Sequence, residues 1–296
     1  RIPETVPEFG MDTALIYPVN ANCKNNRIQR GIGSQFSNVI RGNSHKREKQ
    51  GKGEIMNKRK KLLSVNVDAK TSKGVKMGYL TGIQYLAPSR LSGKDLCTSA
   101  SAGCRGGCLN FAGRGRFSNV QLARLNKTRF FLDYRDEYFE SLIWDIHALE
   151  RKAERENLIP CVRLNGTSDI MYERLQHNGA NIMEHFPGMI FYDYTKHYRR
   201  IFDDIGQAWP IPDNYHLTFS RSEVNTEHCL SLVGKHPNVN VAVVFNGELP
   251  GRYMGRTVFN ADESDLRFLD PPGVIVGLKA KGKAKQDTSG FVVENK

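Results

Sequence analysis

The chain of 296 residues lacks any run approaching the roughly 20 consecutive apolar residues that a bilayer-spanning helix needs. Its first residues also lack the apolar block of a secretory signal. Hydrophobic residues make up 39% of the chain and aromatic residues 9%, which is enough for a folded core and excludes disorder throughout. We therefore expect a soluble, cytoplasmic protein with no membrane partner.

Acidic residues are scarce at the amino-terminal end, where residues 1–61 hold 13 Lys and Arg against 5 Asp and Glu. The segment is polar and has no helical or strand periodicity, so it is predicted to be a flexible basic extension. Met56 precedes NKRKKLLSVN and is a candidate native start, in which case residues 1–55 are not native. A basic arm suits nucleic acid, and a merely solvated tail fits equally well. Residues 62–296 are predicted to form one α/β domain.

Short apolar runs alternate with amphipathic segments along that domain. Helices are predicted at 119–131, with Ser118 as N-cap, at 135–156, and in shorter form at about 179–185, 196–204 and 224–233. Strands are predicted at 79–86, 161–165, 189–194, 215–220, 239–245, 257–260 and 274–278. This alternation is typical of βα units around a parallel sheet. We expect a complete or partial parallel (βα) barrel of the TIM-barrel type.

Polar side chains follow five of the predicted strands, in the segments NGTSD (165–169), DYTK (193–196), SRSE (220–223), NADESD (260–265) and GLKAKG (277–282). Such ends are common in any soluble barrel, but catalytic groups of barrel enzymes also lie there, and five in series indicate a functional rim. The candidate catalytic residues are Asp169, Asp193, Lys196 and Glu223. The candidate binding residues are Asn165, Ser168, Ser220 and, from the GRGR segment, Arg114.

Three of the six cysteines fall within twelve residues, CTSASAGCRGGC, as Cys97, Cys104 and Cys108. The chain has no Cys-x2-Cys pair, and the next histidine after this segment is His147. A clustered set favours a metal site over a disulfide framework. Three thiolates suit a four-iron cluster with one open iron, whereas structural zinc needs a fourth ligand, and reduced structural thiols are the third alternative. The distant candidates for that fourth ligand are His177, His185, Cys161 and Cys229.

Several segments in order resemble the bacteriophage "gene product 88" family: LAPSRLSG (86–93), CTSASAGCRGGCLNFAGRG (97–115), RLNGTSDI (163–170), FYDYTK (191–196), HLTFSRSE (216–223), VAVVF (241–245) and DLRFLDPPGVIVGLKAKG (265–282). The resemblance covers about Leu62 to Val293 and implies a phage-encoded protein of the host cytoplasm. More distantly, the three-cysteine loop with its TSD and TK strand ends is similar to a phage group described as radical-SAM-like. That similarity implies a partial barrel, a 4Fe-4S cluster and S-adenosylmethionine. The usual motif of that group is Cys-x3-Cys-x2-Cys, whereas the intervals here are six and three.

Three functional hypotheses follow. In the first, the protein is an iron–sulfur, radical-SAM-like enzyme with a nucleic acid or nucleotide substrate, and the cysteines hold the cluster. In the second, it is a zinc-containing barrel enzyme, such as a base-exchanging transglycosylase, with Asp169 or Asp193 as nucleophile or base. In the third, it is a non-enzymatic binder of nucleic acid or of a host protein.

Overall fold

The structure is a computed structural model that describes residues 60–65, 69–201 and 210–295. The predicted basic extension lies outside the described residues, apart from its last two positions. No helix of the described part is both long and apolar enough to cross a membrane.

The described residues alternate between strands and helices. The strands are β1 (Leu63–Val65), β2 (Tyr79–Gln84), β3 (Ile159–Arg163), β4 (Gln176–His177), β5 (Ala180–Asn181), β6 (Ile190–Thr195), β7 (Tyr215–Ser220), β8 (Val241–Asn246), β9 (Arg252–Tyr253), β10 (Arg256–Asn260), β11 (Ile275–Lys279) and β12 (Val292–Glu294). The helices are α1 (Ala69–Lys76), α2 (Ala102–Gly106), α3 (Ser118–Asp133), α4 (Arg135–Glu156), α5 (Ile182–His185) and α6 (Thr226–Lys235).

A mostly parallel sheet forms the centre of the protein, with strand order β1-β2-β3-β6-β7-β8-β11-β10-β9. All neighbours from β2 to β10 are parallel, while β1 and β9 pair antiparallel at the two ends. The predicted α/β class with a mostly parallel central sheet is confirmed, and within the described residues no pairing joins β1 to β9 to close the strands into a barrel. Because β11 lies between β8 and β10, the spatial order also departs from the chain order that a simple barrel predicts.

Strand β8 has two different neighbours along one edge. Its first residues pair with the end of β7, at Phe219–Val241 and Ser220–Ala242, and its later residues pair with β12, at Val292–Val244. The chain segment that carries β12 therefore meets the carboxyl end of β7. This position brings Phe291, just before β12, next to the polar strand ends.

The two faces of the sheet are covered differently. On one face, α4 buries Tyr138, Leu142 and Ile146 against residues such as Val162 of β3. On the other face, the crossover between β10 and β11 packs Leu266 and Phe268 on Cys161 and Tyr192. Because side chains alternate along a strand, Cys161 and Arg163 face the crossover while Val162 faces the helices. Neither of these packing layers covers the edge of the sheet at which the parallel strands end.

Most of the predicted elements are confirmed. The helix predicted at 135–156 is α4, the strand predicted at 215–220 is β7, and the other long strands lie within two residues of their predicted bounds. The N-cap assignment was wrong: α3 already begins at Ser118, and Phe117 occupies the cap position without a side-chain hydrogen bond. The predicted helix at 196–204 is, in its described part, a short 3-10 turn at Tyr198–Arg200.

Candidate functional site

A cleft of about 1650 Å³ lies at the carboxyl edge of the parallel strands. All three clustered cysteines line it, although they come from the long loop that joins β2 to α3. Residues from all five predicted polar segments also line it. They are Asn165, Ser168 and Asp169 after β3, Lys196 after β6, Ser220 at the end of β7, Asp262 and Asp265 after β10, and Lys279 and Lys281 around the end of β11. The structure thus brings most of the predicted site into one cavity.

The part of the loop that carries Cys104 is held in place by hydrogen bonds to Ser101 and Glu223. Ser101 caps α2, and its hydroxyl oxygen accepts from the Cys104 backbone N–H at 3.2 Å. Glu223, which follows β7, accepts from the Ser101 hydroxyl at 2.6 Å and from the Gly103 N–H at 2.7 Å. A Cβ on Gly103 would clash with the Ser289 hydroxyl and lie 2.5 Å from the Phe291 Cβ. Only glycine therefore allows α2 to pack this closely.

Cys97 is fixed by different contacts on the opposite side of the loop. Its N–H donates to Asp95 Oδ1 at 2.9 Å, and its sulfur lies 3.5 Å from the Ser89 backbone nitrogen and 3.7 Å from the Thr167 carbonyl oxygen. Asp95 also pairs with Arg105 at 3.1 Å. This ion pair joins the residues before Cys97 to the residue after Cys104, so the loop is braced as one unit.

The ionisation of the thiols depends on their burial and on one another. Burial raises the pKa of Cys97 to about 12, with further contributions from Asp169, Cys108 and Cys104. Burial likewise raises the pKa of Cys108, and the neighbouring Cys104 adds to the effect. Ionisation of one of these thiols therefore disfavours ionisation of the others. A bound cation or cationic cluster would relieve both the desolvation and the repulsion.

The NGTSD turn after β3 is organised by Asn165. Its Oδ1 accepts from the Ser168 hydroxyl at 2.9 Å and from the Ile170 N–H at 2.8 Å. Asp169 then accepts from the Thr195 hydroxyl and from the Lys196 N–H, both at 2.9 Å. The Asp169 carboxylate therefore ties the end of β3 to the end of β6.

Lys196 and Ser220 form a hydrogen bond in the lining of the cleft. The Lys196 ammonium group donates to the Ser220 hydroxyl oxygen at 2.8 Å and lies 5.5 Å from the centre of the Phe291 ring. Both side chains face the cleft that the cysteines line. A hydroxyl and an ammonium group at this position are suited to hold an anionic or polar group of a ligand.

Two of the candidate catalytic carboxylates are not among the residues that line the cleft. Asp193 is fully buried and accepts from the Asn165 N–H and the Tyr215 hydroxyl, each at 2.9 Å. Burial raises its pKa to about 6, against the lowering effect of Arg163 and of these hydrogen bonds. Glu223 is hydrogen-bonded to the cysteine loop. Burial acts to raise its pKa, but the hydrogen bonds from Ser101 and Gly103 outweigh burial, so the pKa is lowered. Both carboxylates hold other site residues in position.

Arg114 lines the cleft as predicted, and it is an exposed residue of the 3-10 turn Gly113–Arg116. Sequence reasoning missed Arg163, which lines the cleft and whose guanidinium group pairs with Asp265 at 2.9 Å. A charged residue inside the apolar strand CVRLN was the available signal. It also missed Arg200, which has no comparable signal because its neighbours in sequence, Arg199 and Ile201, do not indicate its burial.

A family model described as Gene product 88 matches residues 49–295. This range includes every residue of the cleft. No curated protein and no solved structure matches the chain.

Proposed function

The chain belongs to the bacteriophage Gene product 88 family, and from that premise we propose that it is a phage-encoded iron–sulfur enzyme, related to radical-SAM enzymes, that acts on an anionic substrate such as a nucleic acid or nucleotide. One observation carries the proposal. The three cysteines of a single twelve-residue segment line the same cleft as the polar ends of five strands of the parallel sheet, β3, β6, β7, β10 and β11. Among parallel α/β proteins, this edge of the sheet is where active sites lie.

The three clustered thiols are the ligands that we propose for a four-iron cluster. Within the described residues, no three His, Cys, Asp or Glu side chains are placed to hold one metal ion together. Each thiolate of a cluster binds a different iron, so its sulfurs need not converge on one point. Cys97, Cys104 and Cys108 would hold the cluster. When bound, it would supply an open iron for a small co-substrate, S-adenosylmethionine in this proposal, and an electron.

The distant candidates for a fourth zinc ligand lie elsewhere, which favours the cluster over zinc. Cys161 lies 3.2 Å from the Thr81 hydroxyl on a buried strand. Cys229 is buried in α6. His185 Nε2 lies 2.8 Å from the His177 carbonyl oxygen, and His177 stacks on Phe139 of α4, on the helix-covered face of the sheet. None of the four lines the cleft. The zinc-dependent transglycosylase is therefore the weaker alternative.

The other cleft residues would bind and orient the reactants. Lys196 and Ser220 present a cation and a hydroxyl that suit a carboxylate or phosphate of a ligand. Asp169 positions the Lys196 backbone, and Asn165 holds the turn that carries Asp169. The Phe291 ring, 5.5 Å from the Lys196 ammonium group, would help to hold that cation in place. In this proposal the strand ends form a partial barrel around the reaction.

Iron and sulfide analysis with an absorption spectrum, on full-length protein purified and reconstituted without air, tests the proposal. We expect about four irons and four sulfides per chain, with a broad band that bleaches on reduction. Cys104→Ala should lose most of this iron while remaining folded. Cys229→Ala, which removes a buried thiol outside the cleft, should keep it.

Two results would contradict the proposal: wild-type protein that takes up no iron, or a Cys104→Ala variant with unchanged iron. One zinc per chain and no iron would support the zinc alternative. Consumption of S-adenosylmethionine under reducing conditions, by wild type but not by Cys104→Ala, tests the co-substrate separately.

A further inference from the structure

The cleft is strongly basic although most of the protein's excess charge lies in the amino-terminal segment. Nine Lys and Arg residues line it, against three Asp residues. All three carboxylates are already paired: Asp265 with Arg163 at 2.9 Å, Asp262 with Lys281 at 2.7 Å, and Asp169 with Arg200, which is buried behind the cleft, at 2.8 Å. The cleft therefore keeps a surplus of positive charge.

Three of the cations that line the cleft donate hydrogen bonds to uncharged groups. Arg124 donates to the side chain of Asn110, Lys127 to the Leu62 carbonyl oxygen at 2.6 Å, and Lys196 to Ser220 at 2.8 Å. Burial lowers the pKa of Lys127 to about 8, against the opposing effect of the Asp145 carboxylate. Within residues 60–65, 69–201 and 210–295, no ion pair joins these three or Arg114 to a carboxylate. Four cations are thus available to an anion.

Beside these cations, the mouth of the cleft exposes apolar side chains. Leu91, Leu109 and Phe111 line it with 48%, 60% and 41% of their surface exposed. Phe117, at the start of α3, is 51% exposed. Phe111 and Phe117 flank the basic turn GRGR, so two exposed rings lie on either side of two arginines within seven residues. Of these four residues, Phe111 and Arg114 line the cleft.

A basic groove combined with exposed aromatic rings is the arrangement by which proteins bind single-stranded nucleic acid. We propose that the substrate of this cleft is single-stranded nucleic acid, with its phosphates on Arg114, Arg124 and Lys127 and a base stacked on Phe111. The inference rests on the proposed function, since it names the substrate of the same site. A single strand fits better than a duplex because a base stacked within a duplex cannot reach cysteines inside the cleft.

The test is the binding of a labelled single-stranded oligonucleotide of about 16 nucleotides, followed by fluorescence anisotropy as a function of salt. All proteins are full length, so the basic amino-terminal segment contributes equally to each. Phe111→Ala should weaken binding ~10-fold or more without changing the salt slope. Arg114→Ala should weaken binding and reduce the salt slope by about 0.7 for each phosphate that the arginine neutralises.

The matched controls lie on α4. Arg151 is 5.2 Å from the exposed ring of Trp144, and neither residue lines the cleft. Trp144→Ala and Arg151→Ala should therefore bind like wild type. Unchanged binding in both Phe111→Ala and Arg114→Ala would overturn the inference. So would a mononucleotide that competes as well as the oligonucleotide, or a duplex that binds more tightly.

Iron analysis of the same variants separates the two proposals. Phe111→Ala should retain its iron, because the ring is exposed at the mouth of the cleft. If the wild type holds no iron but the cleft variants still lose binding, the cluster proposal fails and the substrate inference stands. If Cys104→Ala loses iron while the oligonucleotide binds all variants equally, the substrate inference fails and the cluster proposal stands.

Discussion

Replacing Arg200 with methionine tests the support behind the cleft. Arg200 is 1% exposed, and its guanidinium group pairs with two carboxylates. Nε and Nη2 donate to the two oxygens of Glu173, both at 2.9 Å, and Nη1 donates to Asp169 at 2.8 Å. The Tyr215 hydroxyl completes the set at 2.7 Å. Methionine fills most of the volume but leaves all of these groups without their donor.

The expected cost follows from the burial of the carboxylates. The side chains of Asp169 and Glu173 are only 12% and 6% exposed, so removal of Arg200 leaves two charges with little solvation. Breaking a buried ion pair in this way costs about 3–5 kcal/mol. Lys152 and Glu156 form a contrasting pair at 2.9 Å on the surface of α4. For Lys152→Ala we expect a loss of only about 0.5 kcal/mol.

Denaturant unfolding followed by circular dichroism measures both free energies under one set of conditions. A second variant, Arg200→Met with Glu173→Gln, should recover part of the loss, because one of the two stranded charges is removed. If Arg200→Met costs no more than Lys152→Ala, or if the added Glu173→Gln destabilises the protein further, then Arg200 does not neutralise these carboxylates and the reasoning is wrong.

Two further predictions concern single side chains near the cleft. The pKa of Asp193 is raised to about 6, so the native state binds more protons than the unfolded chain between about pH 4 and pH 6, and this group lowers stability as the pH rises through that window. Asp193→Asn should remove that trend. The unfolding free energy at pH 7 minus that at pH 4 should be up to about 3 kcal/mol more favourable to the folded state in the variant than in the wild type. Unfolding curves at both pH values check this, and parallel pH profiles of variant and wild type would contradict it. Gly103→Ala should cost about 1–3 kcal/mol and lower iron retention, because the new methyl group meets Ser289 and Phe291. Unfolding and iron analysis check it against Gly106→Ala, where a Cβ meets nothing within 4 Å and both readings should stay nearer to wild type.

Local pattern was enough to predict the longer elements. The stripe of Tyr138, Leu142, Ile146 and Leu149 recurs at helical spacing, and these four residues are buried in α4. The apolar run YHLTFS is β7 over the predicted residues. Such elements are predictable because burial of one face imposes the period of the helix or strand directly on the sequence. The end of a helix is less constrained, which is why Ser118 was wrongly placed at the cap of α3.

The roles within the site depended on contacts between residues far apart in the chain. Glu223 and Asp193 are carboxylates at or near strand ends, where catalytic carboxylates are expected. Glu223 instead accepts a hydrogen bond from the Ser101 hydroxyl, 122 residues earlier, and Asp193 accepts one from the Asn165 N–H, 28 residues earlier. Nothing local distinguishes them from Asp169, which does line the cleft. The difference arises from their tertiary contacts: Asp193 is fully buried within β6, and Glu223 is turned to the Ser101 hydroxyl and the Gly103 N–H.

From the residues alone, the three clustered cysteines, the polar strand ends and the parallel α/β class were already evident, because each is a property of short segments. That the cysteine loop bends over the ends of β3, β6 and β7 depended on packing, through Gly103 against the segment before β12 and through Asp95 with Arg105. The placement of β11 between β8 and β10 likewise came only from long-range pairing. These contacts join segments that are far apart in the chain. They leave no periodic pattern in the sequence, so they are seen only in the folded structure, which brings the segments together in one cleft.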